Sequence, residues 1–275
     1  MAITASDVKR LREQTGVGMM DCKRALQETN GDFDAAIDVL RKKGQKVAAK
    51  RADRDATEGQ IISRLSDDSK TGALIEVNSE TDFVARNEGF QTFADALADL
   101  VMEHRPADLD AFKALSFDGK RTVEEAPTDM TGKIGEKIDV RRFEIMTSED
   151  GQIVPYIHPG AQLGVLVDAT GDNAPEAARD VAMQIAALNP LAATRDEVPQ
   201  DVKDKEMEIG RELALAEGKP EQIVDKIATG KLERYYKDNV LVEQPFVKDS
   251  SMTVKQMLDQ QGVGVKRFVR FALGG

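Results

Sequence analysis

The sequence predicts an α+β fold, and three patterns carry that reading. The run Gly72-Ala73-Leu74-Ile75-Glu76-Val77, followed by a polar turn and a helical stretch, is matched by Gly164-Val165-Leu166-Val167-Asp168-Ala169 with its own polar turn and helical stretch. Each run follows a candidate hairpin strand. The chain is therefore expected to hold two related subdomains, each a three-stranded antiparallel sheet with helices on one face. Second, residues 1–54 carry apolar side chains at helical spacing, the pattern of a small three-helix bundle. Third, residues 196–232 combine dense charge with a narrow apolar stripe, which suits a projecting antiparallel helical hairpin of coiled-coil type. The expected division is 1–54 for the bundle, 55–139 for the first subdomain, 140–195 with 233–275 for the second, and 196–232 for the inserted hairpin.

In the bundle, Asp7 or Ser6 can cap a first helix carrying Val8 and Leu11, which Gly16-Val17-Gly18 breaks. A second helix places Cys22, Ala25 and Leu26 on one face and ends at Asn30-Gly31, a pair suited to positive φ. Asp32 can cap a third, with Phe33, Ala36, Ile37 and Leu40 inside. Arg41, Lys42 and Lys43 before Gly44 suit the negative end of its dipole. Residues 45–58 read as a helical, solvated linker. Met19 and Met20 cannot easily both face inward from one helix. One is expected in the core and the other exposed, where a flexible thioether suits a partner surface.

In the first subdomain, Gln60–Leu65 and Ala73–Val77 read as a hairpin around a polar turn, with the second strand half buried. Thr81-Asp82-Phe83-Val84 then leads into a helix whose inner face is Phe90, Phe93, Ala94, Leu97 and Val101. Thr81 or Asp82 can cap that turn while Phe83 or Val84 tucks inward as a staple. The matching turn of the second copy, Thr170–Pro175, contains no aromatic, so folding such a turn does not require Phe83. A helix and a loop holding Ile134-Gly135-Glu136 follow. Val140–Met146 alternates as a strand of the second subdomain, with Gln152–His158 and Leu163–Ala169 beside it, and a final helix and strand close the fold.

Composition excludes several classes. Hydrophobic residues make up 41% of 275, enough for folded cores, and no apolar run reaches a membrane span. Forty-nine acids against 38 bases give a net charge of −11, unlike a protein that grips phosphates, and an absence of Trp with three Tyr leaves little surface for stacking bases. No direct nucleic-acid contact is expected, and the basic stretch from Arg41 to Arg54 reads as a solvated helix end. One cysteine rules out an internal disulfide, which fits a reducing compartment. The N-terminus lacks a basic segment followed by an apolar one, so a cytoplasmic protein is expected. There is no phosphate-loop motif and no nucleophile elbow, and one Cys with two His cannot build a zinc cage. Glu80 and Asp82 lack a third group for hydrolysis. No cofactor, metal or catalytic residue is expected.

Thr81-Asp82-Phe83-Val84-Ala85-Arg86-Asn87 resembles the signature of elongation factor Ts. Two further stretches resemble the same family: Leu11-Arg12-Glu13-Gln14-Thr15-Gly16-Val17-Gly18-Met19-Met20-Asp21-Cys22-Lys23, and Ile134-Gly135-Glu136 leading to Arg141-Arg142. The resemblance runs from about residue 3 to the end. It implies a ubiquitin-associated-like bundle at the N-terminus and an inserted coiled-coil arm. It also implies a guanine nucleotide exchange factor, not an enzyme, whose partner is the GTPase elongation factor Tu. Thr81, Asp82, Phe83 and Val84 would displace Mg²⁺ from that partner, and Arg12, Met19, Met20, Ile134, Gly135 and His158 would supply further contacts. By its residues alone His158 is equally an ordinary turn histidine. A dimer or a heterotetramer with the partner is left open, and the runner-up is a non-exchanging interaction scaffold built on the bundle.

Overall fold

The computed structural model describes residues 3–274. The chain begins with α1 (Ala5–Thr15), α2 (Met19–Glu28) and α3 (Phe33–Arg51). Thr4, rather than Ser6 or Asp7, is the first cap. Its hydroxyl accepts the Asp7 amide at 3.2 Å while the Asp7 carboxylate accepts the Thr4 amide at 3.0 Å, a capping box. Val8, Leu11, Cys22, Ala25, Leu26, Ala36 and Leu40 form the bundle's core.

The third helix does not stop at Gly44. It continues to Arg51, and Gly44 is where it crosses α7 (Glu125–Ile134): a side chain on Gly132 would strike the Gly44 backbone. The glycine marks a close approach of two helices, not a helix end.

Between these helices lie β1 (Glu58–Leu65), β2 (Thr71–Ser79), α4 (Asp82–Ala85), α5 (Glu88–His104) and α6 (Leu109–Ala114). After α7 come β3 (Ile138–Thr147), β4 (Gln152–Ile157), β5 (Leu163–Thr170), α8 (Ala174–Leu188), α9 (Gln200–Ala216) and α10 (Glu221–Asn239). The chain closes with β6 (Pro245–Phe246), β7 (Asp249–Thr253), α11 (Val254–Gln261) and β8 (Gly264–Ala272).

Two antiparallel three-stranded sheets result, ordered β1-β2-β3 and β4-β5-β8. The strand at 140–146, expected in the second subdomain, belongs to the first sheet, where Phe143 faces Ile75. Alternation identified it as a strand but could not name its neighbour.

The sheets pack face to face. Ile61, Leu74, Met146, Ile153, Leu166 and Phe271 fill the seam between them. Helices cover both outer faces, α5 to α7 over the first sheet and α8 with α11 over the second. Strand β2 is consequently buried at every residue, not half buried as expected. Its Ala73, Ile75 and Val77 meet the helices while Leu74 meets the other sheet.

Gly72 and Gly164 permit this approach at equivalent places in the repeat. A Cβ on Gly72 would lie 2.5 Å from Cγ2 of Ile153, and one on Gly164 would lie 2.7 Å from Cγ2 of Ile61. Helices α9 and α10 form the antiparallel arm, with Gly210 packed on Ala228 and a base of Ala192, Val198, Tyr236 and Val240. The second helix of the arm continues to Asn239, beyond residue 232.

Candidate partner-binding site

The turn after β2 leaves a phenyl ring in water. Thr81 caps α4, its hydroxyl accepting the Val84 amide at 3.4 Å, and the four-residue helix then directs its side chains apart. Ala85 is buried, Val84 packs on the first core, and Phe83 is 81% exposed. Val84 is therefore the inward staple and Phe83 is not.

The turn itself is tightly held. Ser79 Oγ donates to the Thr81 carbonyl at 3.0 Å and Gln60 Nε2 to the Ala85 carbonyl at 3.0 Å. Asn87 caps the next helix by accepting the amides of Gly89 and Phe90. Asp82 pairs with Arg86 at 2.9 Å beside the ring. A ring standing out from a fixed backbone loses little freedom on binding, which favours an anchor role.

The Ile134-Gly135 loop reaches this turn through Glu136. The Glu136 carboxylate accepts the Thr81 amide at 3.1 Å and the Thr81 hydroxyl at 3.0 Å. In return, the Glu80 carboxylate accepts the Lys137 amide at 2.6 Å. Arg51 at the end of α3 donates to both Glu80 oxygens at 2.8 Å, and Lys137 Nζ donates to the carbonyls of Ala52 and Arg54. Burial raises the Glu80 carboxyl, but the Lys137 amide and then the Arg51 guanidinium outweigh it and hold it below its ordinary value. Arg51 and Lys137 carry no local signal in the sequence, and Glu80 and Glu136, though named there in other settings, give no sign of this pairing because a charge carries no periodicity to mark its partner.

Ile134 packs at the edge of the first core, and Gly135 ends α7 in the left-handed region, φ 85°. Across from them, Gly16 lies against the Lys133 stem. Thr15, Val17, Ile134 and Gly135 line a cleft of about 640 Å³ between bundle and core. The structure thus brings the Phe83 turn, the Ile134-Gly135 loop and the turn after α1 into one connected strip.

Arg12 is exposed on α1. Met19 and Met20 are 44% and 64% exposed, so neither enters the core, because the inward stripe of α2 begins at Cys22. Three of the six bases of the third helix are paired, Arg41 with Glu125, Lys43 with Asp21 and Arg51 with Glu80, while Lys42, Lys46 and Lys50 are exposed. His158 is exposed in the β4–β5 turn, where Tyr156 Oη and its Nδ1 share a hydrogen bond of 2.8 Å. That turn is tied to β1 by Ile61, whose amide donates to the Ala161 carbonyl at 2.7 Å, next to the Gln60 that holds Ala85. No group of metal-ligating side chains assembles among the described residues.

Comparison with known proteins decides the family. The profile described as Elongation factor TS matches residues 80–275. The chain belongs to the elongation factor Ts family. It is 50% identical over 284 residues to the elongation factor Ts of Prosthecochloris aestuarii, with 99% of each chain covered. The elongation factor Ts of Chlorobaculum tepidum is likewise 50% identical with 99% of each covered, and that of Chloroherpeton thalassium is 47% identical, covering 99% of this chain and 98% of its own. Members of the elongation factor Ts family are translation elongation factors. The matched profile contains Phe83, the Ile134-Gly135 loop, both carboxylates and His158. The bundle bearing Arg12, Met19 and Met20 precedes it but lies within the span shared with the elongation factor Ts relatives. No described helix is long and apolar enough to cross a membrane.

Proposed function

We propose that this chain is a guanine nucleotide exchange factor that binds elongation factor Tu carrying GDP and promotes GDP release, working in the cytoplasm without covalent chemistry. The observation that supports it is Phe83, 81% exposed on a backbone pinned by Ser79, Gln60 and Glu136. In this reading the ring inserts between elements of the GTPase that hold Mg²⁺, with Thr81, Asp82 and Val84 setting its approach. Mg²⁺ bridges the phosphates to the GTPase, so displacing it loosens the nucleotide. Arg12, Met19 and Met20 engage from the bundle, Ile134 and Gly135 from the loop, and His158 from the second subdomain.

Exchange is a linkage problem. A factor that prefers the empty GTPase must weaken GDP by the same coupling free energy, and one that binds both states equally does nothing. A buried aromatic anchor is worth about 2–4 kcal/mol, roughly 30- to 1000-fold in coupling if all of it is differential. Release of fluorescent GDP from elongation factor Tu tests this. Phe83→Ala is expected to slow release within that range while its unfolding temperature stays at wild type. Wild-type release by a folded Phe83→Ala would remove the ring from the mechanism.

A further inference from the structure

Glu80 and Glu136 lie one residue from the tips of two stretches that the proposed function uses, and both carboxylates are engaged within the chain. Each carboxylate is spent on the other's loop: Glu136 on the Thr81 amide and hydroxyl, Glu80 on the Lys137 amide. Carboxylate bonds to backbone amides are charge-assisted and directional, about twice as strong as neutral ones. The crossed pair fixes how the Phe83 turn sits against the Ile134-Gly135 loop. Arg51 extends the arrangement to the last turn of α3, its Nη1 lying 2.8 Å from both Glu80 oxygens, and Lys137 Nζ holds the carbonyls of Ala52 and Arg54 beyond it. The crossing of α3 and α7 at Gly44 and Gly132 is another point where the bundle meets the core.

We propose that Glu80 and Glu136 are positioning residues for nucleotide release: they hold the Phe83 wedge, the Ile134-Gly135 loop and, through Arg51, the N-terminal bundle as one rigid contact surface. This rests on the exchange reading above and adds to it the groups that set the geometry. The physical reason is that a wedge acts only through contacts made better in the nucleotide-free state. Binding a partner tolerates a loosely held ring, whereas displacing one does not, because a small misplacement of an oriented group can cost about 100-fold in rate. Loss of the clamp should therefore appear in the maximal release rate and not in affinity.

The experiment is stopped-flow release of fluorescent GDP from elongation factor Tu over a range of concentrations of the full chain, yielding a maximal rate and a half-saturating concentration. Glu136→Ala is expected to lower the maximal rate at least tenfold while moving half-saturation less than threefold. Glu136→Gln, which keeps an acceptor for the Thr81 amide, is expected to recover most of that rate. Arg51→Met enters no core, so it reports even if Glu136→Ala fails to fold; it is expected to lower the maximal rate about threefold at unchanged half-saturation.

A wild-type maximal rate in Glu136→Ala, or in Arg51→Met if the former does not fold, overturns the proposal. So does a loss confined to half-saturation. Phe83→Ala is run beside them. If it is slow while the clamp variants are normal, only the clamp fails; if it releases GDP as wild type does, the exchange reading fails and the clamp with it.

Discussion

Arg142 and Arg267 reach across the seam between the two sheets in opposite directions. Nη2 of Arg142 donates to the Ala272 carbonyl at 3.1 Å, and Nη2 of Arg267 donates to the Thr147 carbonyl at 2.7 Å. Each arginine also faces a buried acid on its central strand, Glu76 for Arg142 and Asp168 for Arg267. Each acid sits immediately before a shift in strand register. The repeat visible in the sequence is thus repeated in the bonds that join its two halves.

That seam should respond sharply to added volume. Gly72→Ala would bring a methyl to 2.5 Å from Cγ2 of Ile153. Overpacking of this kind destabilises by about 1–3 kcal/mol. Ile153→Ala should relieve part of it, so the double variant should lose less than the sum of the singles, a coupling that a double-mutant cycle in urea unfolding would measure. Strict additivity would mean that the sheets part without consulting Ile153.

The helix crossing offers a test in which two effects oppose. Replacing a helical glycine by alanine gains about 1 kcal/mol of helix propensity. At Gly44 the new methyl would sit 3.3 Å from the Gly132 Cα, tight but tolerable, so Gly44→Ala should be near neutral. At Gly132 the methyl would meet Gly44 backbone atoms that cannot rotate away. Gly132→Ala should therefore loosen the bundle from the core, seen as faster hydrogen exchange along α3 with little change in α8.

Acid should weaken the junction through Glu80. The Lys137 amide and the Arg51 guanidinium overcome burial and hold its carboxyl below the ordinary 4.5. A lowered folded-state value means stability that is present above about pH 4.5 and lost as the pH falls through that lower value. The difference in unfolding temperature between wild type and Glu80→Ala should accordingly be largest near neutrality and shrink below pH 4.5. A difference that stays constant down to pH 2 would assign the loss to packing alone.

Met20, 64% exposed, makes a contrast with the core. Met20→Ala should change stability by less than about 0.5 kcal/mol, as surface substitutions do. If the methionine meets the GTPase, the same variant should raise the half-saturating concentration for GDP release while leaving the maximal rate near wild type.

Much of this was legible in the amino-acid order because it is local. Strands β2 and β5 announce themselves by apolar runs bounded by turn residues, and α5 and α8 by their helical stripes. What was misread depends on distant partners. Gly44 resembles a helix stop until Gly132, on another helix, is seen against it. The strand at 140–146 alternates plainly, but its neighbour β2 lies some 65 residues upstream in the register that pairs Glu76 with Arg142. The full burial of β2 follows from a second sheet that no local pattern reports. At the site, Phe83 stands out as an aromatic among polar residues, whereas the crossed contacts of Glu80, Glu136 and Arg51 join residues 29 to 57 positions apart that no local pattern links. Met19 and Met20 both stay outside because the bundle's interior begins on α2 only at Cys22, which the spacing of two adjacent residues does not report.

A phenyl group left bare in water invites stacking on its copy in a neighbouring molecule. In the chain it is flanked by Asp82 and Arg86, which pair with each other, and charged neighbours of this kind act as gatekeepers against such adhesion. The exposed apolar ring is thus set in a charged frame, as expected of a side chain that must stay in water until a partner offers it a slot.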